Sequence, residues 1–304
     1  MVKHQFYIKF GDVPVIAGIF YGIKPAVTAI VFHATYRIGS RSLKNKFLWF
    51  VAIAAFLAIF VLKLPFPLIV LSAGIAGYLA SKKYPELFSS AAGHKASQKD
   101  YGPAFIDDET PTPEHAKFHW LRLAKLIFVA IALWLLPILA LGAYFGWHHS
   151  YTQMAWFFTK AALLTFGGAY AVLPYVYQGA VNHFGWLSPT QMIDGLALGE
   201  TTPGPLIMVV AFVGFLGGVN HSLLGSEHLF FAGALGAVIV TWFTFLFSFV
   251  FIFAGAPIIE STHNEIKFTA PLTAITAAVV GVILNLALFF SYHVLWPQGF
   301  SGHF

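Results

Sequence analysis

This chain has few charged residues and no cysteine. Of its 304 residues, 10% are charged and none is cysteine, whereas a soluble domain carries about 25% charged residues. The absence of cysteine excludes disulfides and thiol chemistry. The low charge, together with 58% hydrophobic residues and a mean hydropathy of +0.76, excludes an ordinary soluble domain and predicts a polytopic membrane protein.

Long apolar runs recur along the chain. Each approaches or exceeds the roughly 20 residues that span a bilayer. They are Val13–Tyr36, Phe47–Leu64, Leu121–Trp147, Met154–Tyr177, Leu229–Phe253 and Phe268–Leu288. The runs Pro67–Leu79 and Pro205–Leu216 are too short to cross comfortably. The sequence therefore predicts an all-α fold built from several membrane helices in a lipid bilayer.

The positive charge is concentrated in the first part of the chain. Fifteen of the 17 Lys and Arg residues precede residue 126, and only Lys160 and Lys267 follow. By the positive-inside rule, the basic clusters at 37–46 and 82–125 are cytoplasmic. The net charge of +5 is then a topology signal and not a nucleic-acid-binding signal. The prediction is a multi-pass protein of the cell (inner) membrane with a polar cytoplasmic linker at 81–118.

One short segment interrupts an otherwise apolar region with a carboxylate, two hydroxyls and two prolines. It consists of Gly199, Glu200, Thr201, Thr202, Pro203, Gly204 and Pro205. A broken backbone and an ionisable side chain are both costly in hydrocarbon, so such places usually bind a ligand.

A helix that begins at this break predicts an anion site. We place Thr202 at its N-cap, Pro203 at N1 and Pro205 at N3, because first-turn amides have no intrahelical acceptor. The free amides of Gly204 and Leu206 then point at one spot, at the positive end of the helix dipole. Thr201 belongs to the same substrate-binding set. The alternative is a plain cap at the membrane surface.

Glu200 directly precedes the turn. Its predicted role is a proton-sensitive gate, or a group bonded to the donors of the loop. The alternative is an interfacial carboxylate in water. On the approach segment 188–198, Ser188 is the predicted N-cap and Pro189 the first helical residue, and a direct role for Asp194 is the less favoured reading.

A second break lies inside the run Met154–Tyr177. Gly167 and Gly168 follow Phe166 and remove side-chain cover from the backbone, and Pro174 kinks the helix. Close helix packing is the alternative explanation for the glycines. Two such breaks favour discontinuous helices that face each other at a substrate site. This assigns Phe166, Gly167, Gly168 and Pro174 to substrate binding.

A faint internal repeat relates the two parts of the chain. Residues 26–31 (AVTAIV) resemble residues 274–279 (AITAAV) at an offset of 248. That offset leads us to expect the middle of a longer protein, lacking the front of its first repeat and the tail of its second. The expected units are 1–80, the incomplete first half; 81–118, the linker; and 119–304, the second half.

These residues resemble the chromate ion transporter (CHR) family. The resemblance covers 156–290 closely and 13–80 more loosely. It is carried by LLTFGGAYAVLP at 163–174, GWLS at 185–188, GLALGETTPGP at 195–205, FVGF at 212–215 and residues 274–288. Members with two homologous halves carry both breaks in each half. In this chain the breaks of the first half are absent.

The resemblance implies an inverted-repeat transporter that exports chromate, with sulfate as an isosteric dianion. We expect export to be driven by the membrane potential or by ion coupling. It also allows a homodimer, since some members work as paired single halves. Transport of sulfate or another anion stays open as an alternative, as does a non-transporting membrane fragment. We expect no enzyme, because no nucleophile or acid–base pair is evident. We expect no cofactor and no metal, because the 13 histidines lack a metal-ligand pattern.

Overall fold

The computed structural model describes residues 14–88, 119–165, 169–202, 204–261 and 266–296, and within them every regular element is a helix. The N-terminal helices are α1 (Pro14–Ser42), α2 (Lys46–Phe60) and α3 (Phe66–Lys83). The remaining α-helices are α4 (Trp120–Phe145), α5 (Ser150–Leu163), α6 (Ala169–Tyr177), α7 (Pro189–Thr201), α8 (Val209–Asn220), α9 (Leu229–Ser261) and α10 (Ile266–Leu295). The all-α prediction is confirmed.

Short helical segments of other types connect these elements. A π-helical segment, Gln178–His183, extends α6. Two 3-10 turns, Leu206–Met208 and Ser226–His228, precede α8 and α9. Because α3 continues to Lys83, the first residues of the predicted linker are helical. The rest of the linker, residues 89–118, lies outside the described residues.

Among the described residues, three helical stretches are long and apolar enough to cross a membrane. They are Trp120–Phe145, Ser226–Gly255 and Ala270–Leu295, and they match three of the predicted runs. The run Met154–Tyr177 is instead divided between α5 and α6. The helix in the run Phe47–Leu64 is α2, which has only 15 residues and begins one residue before the run, at Lys46. The chain is therefore a polytopic membrane protein with full-length and shorter helices side by side.

Helix α10 packs against all three N-terminal helices. Small residues permit the close approach: a Cβ atom at Gly281 would lie 2.1 Å from the carbonyl oxygen of Ala52 in α2, and one at Gly77 in α3 would lie 2.6 Å from the Cβ of Ala274. Glycine at such crossings is the usual way for membrane helices to touch. The two similar hexapeptides, at 26–31 and 274–279, thus lie in long helices that contact each other.

The crossing of α8 and α9 is similarly close. A Cβ at Gly214 would lie 2.5 Å from the carbonyl oxygen of Gly236, and one at Gly218 would lie 2.3 Å from that of Ala232. Hydrogen bonds also join α9 to α5 and to α4. Tyr151 Oη in α5 donates to the carbonyl of Ala232 at 2.8 Å, and Trp242 Nε1 donates to the carbonyl of Leu133 in α4 at 3.1 Å.

Candidate functional site

Helices α5 and α6 form the first of two helical hairpins. His149 caps the start of α5, and the helix ends where the amide of Leu164 bonds the carbonyl of Lys160 at 3.0 Å. The ring of Phe157, in the middle of α5, stacks on that of Tyr175 in α6, with centroids 4.7 Å apart. This contact shows that α6 returns alongside α5. The predicted interruption of this apolar run therefore falls between the end of α5 and the start of α6. Phe166, Gly167 and Gly168 themselves lie outside the described residues. Pro174 is buried inside α6.

Helices α7 and α8 form the second hairpin. Ser188 and Gln191 build a complete capping box at the start of α7, with Pro189 in the first turn, as predicted. At the far end of α8, the side-chain amide of Asn220 donates to the carbonyl of Trp186 at 3.0 Å. The start of α7 and the end of α8 are thus neighbours, and the Thr-Thr-Pro-Gly-Pro segment turns the chain at the tip.

The predicted capping role of Thr202 is wrong. Thr202 ends α7 as its C-cap, in an extended conformation, and its hydroxyl donates back to the carbonyl of Leu198. The hydroxyl of Thr201 likewise donates to the carbonyl of Ala197 at 2.8 Å. A threonine hydroxyl can bond either a following amide or the carbonyl four residues before it, and here the second choice prevails.

The second helix of this hairpin therefore begins later than predicted. Pro205 is not a helical N3 residue but the extended N-cap of the 3-10 turn, with φ −71° and ψ 129°. Helix α8 then continues beyond Leu216 to Asn220. Gly204 is exposed, and its φ of 151° disfavours residues with a side chain. Pro203 lies outside the described residues.

The two hairpin tips meet. The hydroxyl of Tyr170, in the first turn of α6, donates to Oε1 of Glu200 in the last turn of α7. Both side chains are partly buried. This bond joins the start of α6 to the end of α7, with one carboxylate between the two helices. A new helix starts beside it, and its first amides carry the positive end of the helix dipole.

A buried ion pair lies along the second hairpin. Nζ of Lys24 in α1 is 3.0 Å from Oδ1 of Asp194 in α7, and the two side chains are 23% and 8% exposed. Sequence reasoning gave Asp194 little weight and missed Lys24. A usable signal existed, because Lys24 is a lone charge inside the apolar run Val13–Tyr36, and intramembrane charges are usually paired or functional.

Comparison with known proteins identifies the family. A family model described as chromate transporter matches residues 1–78 and 152–301. The chain belongs to the chromate transporter family. It is also similar to individual members. The chromate transport protein of Cupriavidus metallidurans is 25% identical over 284 residues, which cover 93% of this chain and 58% of that protein. That of Pseudomonas aeruginosa is 30% identical over 265 residues, covering 87% and 53%.

This chromate transporter family member spans a little more than half the length of those two relatives. A probable chromate transport protein of Synechococcus elongatus is 30% identical over 131 residues, which cover 43% of this chain. No solved structure matches the chain. The family match leaves out residues 79–151, which contain α4, whereas both hairpins lie inside the matched segments except for Ser150 and Tyr151 at the start of α5.

Proposed function

We propose that this chain is the anion-translocating part of a chromate exporter of the cell (inner) membrane. The observation that carries the proposal is the meeting of two hairpin tips at the Tyr170–Glu200 hydrogen bond. Helix breaks that face each other inside a membrane protein form the substrate sites of many transporters. Family membership and the names of the relatives support chromate as the substrate.

The substrate set is Thr201, Thr202, Pro203, Gly204 and Pro205 on one tip, with Phe166, Gly167, Gly168 and Pro174 on the other side. Since the hydroxyls of Thr201 and Thr202 donate to carbonyls of α7, the donors that hold the anion are backbone amides at the start of the 3-10 turn. Glu200 is the gate.

Export follows from the electrical work. Moving two negative charges out of an inside-negative cell gains about 4.6 kcal/mol per 100 mV, from roughly 2.3 kcal/mol for each charge. This corresponds to a gradient of more than about a thousandfold, so no second coupled ion is required. The basic residues of the predicted linker, residues 81–118, keep that segment in the cytoplasm.

The family match in two segments supports the division into a first part, 1–80, and a second part, 119–304, on either side of the linker. The N-terminal helices and α10 pack together, and α1 also reaches α7 through Lys24. Both parts therefore contribute to one body in the membrane.

The test is uptake of labelled chromate by inverted membrane vesicles that contain the full chain. The expected result is uptake that requires a lumen-positive potential and that excess sulfate reduces. Collapse of the potential with an ionophore should abolish it. Uptake no greater than in vesicles without the protein would overturn the proposal. Uptake of sulfate but not of chromate would replace the substrate and keep the mechanism.

A further inference from the structure

A cavity of about 1020 Å³ lies beside the π-helical segment that follows α6. Its walls come from the end of α2, the following loop, α5, α6 and the last turns of α10. Six of its polar lining residues are Lys63, Lys160, Gln178, Asn182, His183 and His293. Its volume is at the upper end of the roughly 300–1,000 Å³ of small-molecule sites, so an anion can enter with part of its hydration shell.

The cavity carries positive charge without a counter-ion. No Asp or Glu is among the lining residues that the structure describes, and neither Lys63 nor Lys160 has a carboxylate partner within the described ranges. Lys160 is the more informative, because it stands in the apolar run Met154–Tyr177, where a charge is costly unless it faces water or a ligand. The two histidines add charge only when they are protonated.

The backbone around the cavity is specialised. Lys63 has a φ of 51°, a region that non-glycine residues rarely adopt. The loop of Lys63 is tied to the opposite wall, because Oε1 of Gln178 accepts a hydrogen bond from the amide of Phe66 at 3.2 Å. Gln178 begins the π-helical segment, and such segments occur frequently at functional sites.

The cavity lies at the opposite end of the N-terminal helices from their basic clusters. Lys63 and Pro65 follow the end of α2, whereas Lys46 begins that helix and Lys83 ends α3. With the basic clusters in the cytoplasm, the cavity opens toward the outside. Pro174, which the sequence analysis assigns to substrate binding, lines this cavity, so an exported anion that has passed the hairpin tips reaches the cavity before it reaches bulk solvent.

We propose that the cavity is a second anion site, an exit vestibule that holds a tetrahedral dianion through Lys63 and Lys160. The proposal rests on the proposed function for its direction. The requirement for the charges of Lys63 and Lys160 in anion binding can be tested without measuring transport. Removing both lysines should weaken binding at the vestibule by up to about 25-fold, since each of the two exposed charge pairs is worth up to about fivefold.

The test uses the natural absence of cysteine from the chain. Asn182→Cys places one thiol in the cavity wall, and its rate of reaction with a negatively charged, membrane-impermeant thiol reagent is measured in right-side-out vesicles. The expected result is labelling from outside that added sulfate slows. In the Lys63→Gln/Lys160→Gln background, the labelling itself should slow and the sulfate protection should disappear.

Two matched controls accompany this measurement. His148→Cys, on the exposed loop before α5, should be labelled without sulfate protection, and Lys46→Gln, outside the cavity, should leave the protection of Asn182→Cys intact. Unchanged thermal unfolding shows that each variant is folded. Equal protection with and without the two lysines, or labelling from the cytoplasmic side only, would overturn the vestibule. Loss of chromate transport in a tip variant that keeps sulfate protection separates the two sites.

Discussion

Nζ of Lys24 and Oδ1 of Asp194 lie 3.0 Å apart and join α1 to α7. The two residues are 170 positions apart in the sequence, and they belong to different segments of the family match. Their ion pair is mostly buried, so each charge is compensated by the other and only slightly by water.

Breaking this pair should destabilise the protein more than removing it altogether. Asp194→Asn leaves Lys24 as an uncompensated cation, at a cost of about 3–5 kcal/mol for a buried pair. The double variant Lys24→Met/Asp194→Leu should recover most of the loss. Thermal unfolding of the purified protein in detergent measures both. A single variant as stable as the double variant would show that the pair does not hold α1 to α7.

The hydrogen bond from Tyr170 to Glu200 lets an experiment test the charge of Glu200 separately from its role as a hydrogen-bond acceptor. At about 6 Å and an effective dielectric of about 20, a carboxylate repels each unit charge of the anion by roughly 3 kcal/mol, so a dianion meets about twice that. Glu200→Gln removes the charge but keeps an acceptor for Tyr170. We expect it to flatten the pH dependence of chromate efflux between about pH 6 and 8, with anion binding intact or tighter.

Tyr170→Phe is the matched control for this prediction. It removes the bond between the tips and keeps the carboxylate, so transport should fall while its pH dependence remains. If the efflux profiles of the Glu200→Gln variant and the unmodified protein coincide at every pH, the gating role is rejected. Glu200 would then serve only to hold the two tips together through its hydrogen bond to Tyr170.

Gly204→Val should abolish transport while the protein still inserts in the membrane. No atom lies within 4 Å of the position that a Cβ would take at Gly204, so the substitution fills open space at the tip where we place the anion. Valine at position 204 also strains the backbone, at a cost of about 1–3 kcal/mol. Gly225→Val is the control for this strain, because Gly225 has a φ of 87° and equally open surroundings. Chromate resistance of cells carrying each variant compares them. Equal losses in both would assign the effect to strain.

The direction of every helix depends on the side of the linker. A protease site inserted between Lys95 and Tyr101 should be cut in inverted vesicles and protected in right-side-out ones, because the basic residues around it stay in the cytoplasm. A site inserted after Trp147 should show the opposite pattern, since α4 separates the two positions. Cleavage of the linker site from outside would reverse the proposed orientation and with it the exit vestibule.

His149 should make the start of α5 sensitive to acid. Its Nδ1 accepts a hydrogen bond from the amide of Tyr151 at 3.3 Å, which requires a neutral ring, and burial lowers the pKa of His149. The unfolded chain therefore binds the proton more readily, so stability is fully present above about pH 6.5 and declines as the pH falls below it.

His149→Asn keeps a capping acceptor that does not titrate. Relative to this variant, the unmodified protein should lose up to about 1 kcal/mol on going from pH 7.5 to 5.5, the typical value of an N-cap. Thermal unfolding at the two pH values measures the difference. Parallel behaviour of the two proteins would show that His149 is not the sensor.

The sequence predicted the helices and their breaks better than the tertiary contacts between them. Apolar runs located α4, α9 and α10, and the glycine and proline clusters located both breaks, because these signals are local. The pairings of Tyr170 with Glu200 and of Lys24 with Asp194 are set by how the hairpins pack, and no local pattern encodes them. Thr202 was misassigned for a different reason: its hydroxyl has two acceptable partners, and the choice depends on where the following prolines direct the chain.

The glycine crossing of α8 and α9 joins the second hairpin to a long membrane helix. At Gly214 and Gly236 the two backbones approach with no side chain between them. Helix α9 also accepts the hydrogen bond from Tyr151 of α5 in the first hairpin. One membrane helix is therefore a common support for both hairpins, and a larger residue at Gly214 or Gly236 would force α8 away from that support.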